Sequence, residues 1–204
     1  MIGKKGFYGL FLATLLAAGT AWASPEDDYK EGIKAQSRDD LQTAMSSFKR
    51  AAEAGHTRAM ARLAIILDRA EENDAALVWF RKAADAGEAA GFLGIGVMMT
   101  NGDAGPKKEK EGLAMIEKAA SMQYGPAMLV LAKVHLLGEF NQTPDLNKAL
   151  SLLEKSADLG YVPAMKELAR LYKAGTPDMK PDAAKAKSWE EKVKQSPNKK
   201  SDDL

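Results

Sequence analysis

The sequence predicts an all-α fold built from a repeating pair of helices, and three observations support this prediction. Four segments of 18 residues, which begin at Arg50, Lys82, Lys118 and Lys155, align with one another without gaps. Small residues recur along the chain at a nearly constant spacing, and apolar residues inside each unit follow the helical period. A period of this size is typical of solenoids in which each helix pair stacks on the next.

Small residues recur at two positions of the repeat, and both series have nearly the same spacing along the chain. The first recurs at intervals of 32, 36 and 37 residues, at Ala52, Ala84, Ala120 and Ala157. The second recurs at intervals of 32, 36, 37 and 37 residues, at Ala44, Ala76, Gly112, Ala149 and Ala186. Small side chains at fixed positions allow neighbouring helices to approach closely, so these two series indicate stacked helices.

Each unit is predicted to contain two helices separated by a glycine turn. Ala59, Leu63 and Leu67 are spaced i, i+4 and i+8, so they share one face of a helix. Ala76 and Phe80 give the same period in the stretch before the next turn. Because glycine readily adopts the left-handed conformation that ends a helix, the turns are predicted at Gly55, Gly87 and Gly160.

The N-terminal segment 1–23 is predicted to be a signal peptide. Lys4 and Lys5 precede an uncharged apolar run over 7–18, which is shorter than the roughly 20 residues that a membrane-spanning helix needs. The small residues around Trp22 predict cleavage after Ala23, and the mature protein is then expected to be periplasmic or secreted. An uncleaved N-terminal anchor is the alternative.

Composition argues against several classes of function. Residues 1–23 hold two of the 29 basic residues and none of the 28 acidic ones, which leaves the mature chain with a net charge of −1. A chain with so little net charge creates no strong electrostatic attraction to nucleic acid. After cleavage of the signal peptide, no stable membrane insertion is expected. The chain has no cysteine, so disulfides, thiol catalysis and cysteine-based zinc sites are excluded.

The remaining elements are predicted from capping signals and composition. Ser24 and the residues after it predict a first helix that extends to about Gln36, and 181–193 is predicted to be the closing helix, with Trp189 turned inward. The solenoid domain is therefore expected to cover 24–193. The polar segment 194–204 contains few apolar residues and is expected to be a disordered tail.

The repeated motif resembles the Sel1-like family, a branch of the tetratricopeptide-related solenoids. The family pattern runs approximately K-A-x-x-W-x-x-K-A-A-x-x-G and then A-x-x-x-L-G-x-x-Y. It is matched at Ala76, Trp79, Lys82, Ala83, Ala84, Gly87, Gly91, Ile95 and Gly96, and at Lys185, Ala186, Trp189 and Lys192. Departures are Gln123 in place of the turn glycine and His135 in place of the tyrosine. The resemblance implies a right-handed α-α solenoid of about four to five Sel1-like helix pairs, in an exported bacterial protein.

The sequence shows no pattern that predicts catalysis, a metal or a cofactor. His56 and His135 are the only histidines, and no HExxH, CxxC, GxSxG or phosphate-loop pattern is present. The glycines at 91, 94 and 96 lie within a helical pattern, whereas a dinucleotide-binding glycine motif follows a strand. We therefore expect no catalytic residues, no metal site and no cofactor, and we do not expect an enzyme.

The candidate binding surface is the face of the first helix of each pair that points away from the core. In a solenoid these faces stack into a continuous concave groove. The residues predicted on it are Arg58, Arg62, Ile65, Arg69, Val97, Val130, Lys133, Glu167 and Arg170. Apolar residues with Arg and Lys around them favour a protein partner that carries acidic and aliphatic groups. The alternative is that Ile65, Val97 and Val130 only pack against neighbouring units.

A functional expectation follows from this surface and from the family resemblance. The first hypothesis is a periplasmic adaptor or scaffold that binds another protein on its concave face. The second is an immunity-type protein that neutralises a secreted toxin, because exported Sel1-like proteins include such neutralisers. The third is an enzyme acting on β-lactams or peptidoglycan, as some relatives have been credited with binding these, but those relatives are rich in cysteine and this chain has none.

Overall fold

Ten α-helices of 13 residues each account for most of the described chain. The computed structural model describes residues 23–103 and 105–196. The helices are α1 Pro25–Ser37, α2 Leu41–Glu53, α3 Thr57–Arg69, α4 Asn73–Asp85, α5 Ala89–Asn101, α6 Glu109–Ser121, α7 Gly125–Leu137, α8 Leu146–Asp158, α9 Val162–Ala174 and α10 Ala183–Gln195. Within the described ranges the only β-type pairing is an isolated bridge between Thr176 and Met179. The all-α prediction is confirmed.

The helices stack as five successive pairs. Each odd-numbered helix packs against the even-numbered helix that follows it, and α2, α4, α6 and α8 each pack against the first helix of the next pair. Contacts that skip a helix also join α3 to α5 and α7 to α9. Because the odd-numbered helices approach each other across units, we place them on the inner, concave side. The predicted solenoid of helix pairs is confirmed, with five pairs in the described part of the chain.

Side-chain caps fix where several helices begin. The Ser24 hydroxyl accepts the Asp27 N–H at 3.1 Å, and the Asp27 carboxylate accepts the Ser24 N–H at 3.2 Å, which forms a reciprocal capping box. The side chains of Asp40, Asp145 and Asp182 cap α2, α8 and α10 in a similar way. These carboxylates satisfy N–H groups that have no partner within the helix, so the chain enters each helix at a defined residue.

The bounds predicted for the first and last helices agree with the structure to within two residues. The first helix ends at Ser37, and the closing helix covers Ala183–Gln195, whereas the sequence indicated 181–193. The shift follows from Asp182, whose carboxylate caps α10 after Pro181. Residues 194 and 195, which were expected to begin the tail, are therefore helical. Residues 197–204 and almost all of the predicted signal peptide lie outside the described residues.

The core runs the length of the described solenoid. Its largest fully buried side chains come from several units and include Phe48, Leu63, Ile116 and Leu168. Three large apolar clusters and one small one together contain residues from all ten helices. Each unit buries its apolar face against the next, and this burial is the main favourable contribution to stability. None of the described helices combines the length and apolarity needed to cross a membrane.

The two helices of the third pair approach each other closely at a pair of glycines. A Cβ atom added to Gly112 would lie 2.7 Å from the Gly96 carbonyl oxygen, and one added to Gly96 would lie 2.7 Å from the Gly112 carbonyl oxygen. The second pair has Ala64 and Ala76 at the equivalent positions. Helices α5 and α6 can therefore approach more closely than alanine at these two positions would allow.

Candidate functional site

The nine predicted surface residues occupy three different environments in the structure. All nine lie on the odd-numbered helices α3, α5, α7 and α9. The exposed residues are Arg58, Arg69, Lys133 and Arg170. The half-buried residues are Ile65, Val97, Val130 and Glu167. The remaining residue, Arg62, is only 8% exposed.

Arg62 is not the exposed groove residue that the helical period indicated. Its Nη1 donates to Oε1 of Gln36 at 3.4 Å, which links α3 to α1. Burial raises the pKa of Tyr124, and the charge of Arg62 lies close enough to that phenol to oppose the rise. Arg62 is therefore an internal polar group that connects units, because neighbouring units cover a position that an isolated helix would expose.

The half-buried apolar residues Ile65, Val97 and Val130 contact the core. Ile65 packs against the cluster formed by the first two units, and Val97 and Val130 pack against the cluster around α6 and α7. Each still exposes part of its side chain on the inner face. Packing of these residues is therefore observed, whereas binding of a partner by their exposed part stays a prediction.

A cluster of aromatic and charged groups joins α1 to the start of α3. The His56 ring stacks on Tyr29 with centroids 4.4 Å apart, and the Arg58 guanidinium lies 5.1 Å from the centre of the Tyr29 ring. Nδ1 of His56 accepts the Ala59 N–H at 3.2 Å, so Nε2 carries the proton and donates to Glu26 at 3.0 Å. His56 thus caps α3 and binds α1.

Tyr124 is a second group that the sequence did not indicate. It packs with Met60, Ala61, Ala83 and Ala90, which belong to the two preceding units. Burial is the main effect and raises the pKa of the phenol, although the positive charge of Arg62 opposes this rise. The hydroxyl oxygen is buried and makes no hydrogen bond with the described protein groups. The only sequence signal was a tyrosine directly before α7.

At the other end of the inner face, an ion pair holds the Arg170 side chain of α9 against Glu167. Nε and Nη2 of Arg170 donate to the two carboxylate oxygens of Glu167 at 2.9 and 2.7 Å. These hydrogen bonds lower the pKa of Glu167, burial opposes the change, and the charge of nearby Lys133 lowers it further. Glu167 is therefore ionised and already paired, while Lys133 and Lys166 remain exposed beside it.

No arrangement suited to metal binding occurs among residues 23–103 and 105–196, which contain no group of three or more candidate His, Cys, Asp or Glu ligands. His135 is half-buried in α7, at the position that Tyr172 fills in the last unit. The inner face offers aromatic rings, guanidinium groups and aliphatic side chains. These groups can bind a protein surface by packing and ion pairing.

The repeats of the described chain match a known family along nearly their whole length. A sequence profile described as Sel1 repeat matches residues 29–56, 57–88, 87–124, 125–161 and 162–192. The chain belongs to the Sel1 repeat family. The five matches correspond to the five helix pairs, so the family predicted from the repeated motif is confirmed. A search of curated proteins gives no match.

Solved structures show the same fold. A Sel1 repeat protein from Oxalobacter formigenes is 25% identical with a TM-score of 0.65, over 85% of this chain and 74% of that one. An immunity protein from Pseudomonas aeruginosa is 23% identical with a TM-score of 0.66, over 88% and 68% of the two chains. A Sel1 repeat protein from Klebsiella pneumoniae is 20% identical with a TM-score of 0.60, over 84% and 86%. The last two comparisons support the Sel1 fold alone.

Proposed function

We propose that this Sel1 repeat protein is exported to the periplasm and acts there as an adaptor or scaffold that holds a partner protein on its inner face. Family membership indicates a protein-interaction scaffold. The observation that carries the finer proposal is the composition of the inner face, where exposed Arg58, Lys133 and Arg170 surround half-buried Val97 and Val130. Arginine and aromatic anchors beside apolar side chains are typical of energetically important interface residues.

The proposed export depends on the N-terminal segment. Two lysines, a short apolar run and the small residues before Ser24 favour a cleavable signal peptide over an anchor. N-terminal sequencing of protein purified from the periplasmic fraction tests this step. A mature chain that begins at Ser24 is expected, and an intact N-terminus in the membrane fraction would contradict it.

The binding surface can be tested by charge reversal of two exposed inner residues. Lys133→Glu combined with Arg170→Glu is expected to remove the partner that wild-type mature protein recovers from periplasmic extract. The matched control is Lys49→Glu combined with Arg81→Glu, because both are exposed basic residues on even-numbered helices. The control should recover the partner as wild type does. Equal recovery by all three proteins would contradict the inner face as the binding surface.

An immunity role is the second candidate, because two similar solved structures are immunity proteins from Pseudomonas aeruginosa. In this case the partner would be a secreted toxin, and its gene is expected to lie next to the gene for this protein. Cells that produce the neighbouring protein in the periplasm should die unless this chain is present. Unchanged survival without this chain would exclude the immunity role and leave the adaptor role.

Family membership and the surface chemistry also support a role without catalysis. An interaction scaffold needs shape and charge to recognise its partner. We therefore infer that the third hypothesis, an enzyme acting on β-lactams or peptidoglycan, does not apply to this chain.

A further inference from the structure

Two neighbouring inner helices, α5 and α7, are apolar on nearly all sides. Helix α5 contains no charged residue, and Lys133 is the only Lys, Arg, Asp or Glu in α7. A surface helix normally has a polar outer face, whereas a helix that is apolar all round is normally buried. Yet Leu93, Val97, Leu129 and Val130 are only half-buried, and we call these four residues the apolar strip. The strip leaves aliphatic surface uncovered in the middle of the inner face.

Positive charge flanks the apolar strip on both sides. We define the inner face as the second, fifth, sixth, ninth and thirteenth residues of each odd-numbered helix, which share one side at 100° per residue. Its exposed basic members are Lys30, Arg58, Arg69, Lys133, Lys166 and Arg170, and its acidic members are Glu26 and Glu167. Arg62 belongs to this side but is buried. None of these charges lies on α5.

Both acidic groups of the inner face are already engaged. Glu26 lies 3.0 Å from Nε2 of His56 and 3.5 Å from the Lys30 ammonium group, and Glu167 is held by Arg170. The inner face therefore carries an excess of positive charge, although the mature chain is nearly neutral. This excess lies at the two ends of the face, on the α1 and α3 side and on the α7 and α9 side.

We propose that the inner face binds a segment of the partner protein in which a short aliphatic stretch has acidic side chains on both sides. This inference rests on the proposed function and specifies the chemistry of the partner. Aliphatic side chains would bury the apolar strip, at about 25 cal/mol per Å² of apolar surface removed from water. Carboxylates at both ends would face Arg58 and Arg69 on one side and Lys133 and Lys166 on the other.

The distribution of charge on the inner face also limits the positions of the acidic residues within the bound partner segment. A carboxylate over α5 would lose water without gaining an ionic partner, and this is unfavourable. Packed helices lie about 8–10 Å apart, so α3 and α9 are separated by three steps, or at most about 30 Å. An extended chain advances about 3.3 Å per residue, so the acidic flanks are at most about nine residues apart.

Selection from a phage library of random dodecapeptides on immobilised mature protein tests the proposal. The enriched sequences are expected to contain aliphatic residues between Asp or Glu residues. A synthetic peptide of the enriched sequence should bind about tenfold more weakly to the Lys133→Glu and Arg170→Glu variant. Replacing its acidic residues with Asn and Gln should weaken binding to wild type by a similar factor. The Lys49→Glu and Arg81→Glu control should bind the original peptide as wild type does.

Two outcomes would overturn the proposal. The first is enrichment of peptides without the acidic–aliphatic–acidic pattern, or equal binding to the inner-face variant. The second involves the chain's own residues 201–204, Ser-Asp-Asp-Leu, which have related chemistry. If peptides bind the Asp202→Asn and Asp203→Asn variant but not wild type, the chain's own C-terminal residues are the occupant. In either case, the proposed function would still stand if charge reversal on the inner face abolished recovery of the periplasmic partner.

Discussion

Gln123 shows how a single substitution in a repeat can store backbone strain. It lies between α6 and α7 with φ at 60°, in the left-handed region. The corresponding turn residues Gly55, Gly87 and Gly160 have φ at 90°, 82° and 84°. The departure from the glycine pattern was visible in the sequence, and the structure shows that the turn keeps its conformation. A residue with a Cβ atom is disfavoured in this conformation by about 1–2 kcal/mol.

We expect Gln123→Gly to stabilise the protein. Relief of the strain is partly offset by the greater flexibility of glycine in the unfolded chain, so the expected gain in unfolding free energy is about 0.5–1 kcal/mol. Urea unfolding monitored by circular dichroism measures it. Gly87→Gln is the matched reverse change and should destabilise by a similar amount. A loss of stability in Gln123→Gly would mean that the glutamine side chain contributes more than the strain costs.

The Glu167–Arg170 pair predicts a defined pH dependence. Because the pKa of Glu167 is lowered in the folded state, the pair contributes stability above the unfolded value near 4.5. That contribution is lost as the pH falls through the lower folded-state value. We therefore expect Arg170→Ala to reduce unfolding free energy near neutral pH, by less than about 1 kcal/mol since the pair is partly solvated. The difference from wild type should shrink as the pH falls below 4.5 and vanish once the pH lies below the folded-state pKa of Glu167.

Urea unfolding of Arg170→Ala across this pH range measures the effect. The matched background is Glu167→Gln, in which the same arginine substitution should give no pH-dependent difference. A difference that persists unchanged in acid would show that Arg170 acts by packing its side chain.

The extent of each helix was largely predictable, because it depends on local signals. Asp182 and the capping box at Ser24 act within one turn, and the apolar period of 3.6 residues requires no knowledge of neighbours. The environment of each inner-face side chain was not predictable in the same way. Tyr124 packs against alanines of two other units, and Arg62 is buried and bonded to Gln36 of another unit, so the stacking of units decides their burial. The helical period alone gives the direction in which a side chain points. It does not show which residues of another unit lie in that direction.

The contact between α5 and α6 predicts an effect at the element scale. Gly112→Ala would place a methyl group against the Gly96 carbonyl and force the two helices apart. Alanine favours a helix over glycine by about 1 kcal/mol, but overpacking typically costs about 1–3 kcal/mol. We therefore expect a net loss of up to about 2 kcal/mol in unfolding free energy, measured by urea denaturation. The control Glu117→Ala changes an exposed residue of α6 and should alter stability by less than about 0.5 kcal/mol.

The stacking of the described molecule follows from the repeat, because each unit buries its apolar residues against the next. Phe48, Phe80, Ile116 and Leu153 occupy the same position in α2, α4, α6 and α8, and all four are buried. In α10 the equivalent residue is Glu190, which lies 3.6 Å from Lys173. This position is therefore apolar and buried in the first four pairs and carries an ion-paired carboxylate in the fifth. Because a buried apolar residue recurs at the same position of successive units, the repeat was visible in the sequence.

At the scale of the whole array, weakening the middle unit should weaken the coupling between the two halves. Ile116 is 1% exposed in the third of the five described pairs, and replacing it with alanine should cost about 2–5 kcal/mol. Because stability in such arrays is a sum over units and their interfaces, we expect the thermal transition of Ile116→Ala to broaden. Differential scanning calorimetry measures this. Leu41→Ala, at a residue 60% exposed, is the control and should leave the transition width unchanged. A shifted but equally sharp transition would show that all five pairs unfold together.

The two helices of each pair run in opposite directions, so all the inner helices begin at the same rim of the groove. The electrostatic potential therefore differs between the two rims. Since α1, α3, α5, α7 and α9 all run the same way, their N-termini meet at one rim, which also contains Tyr29, His56 and Tyr124. Each helix start carries a partial positive charge of about one half of an elementary charge. An elongated guest lying across the groove would therefore meet unlike fields at its two edges. Turning it end for end would not give an equivalent complex.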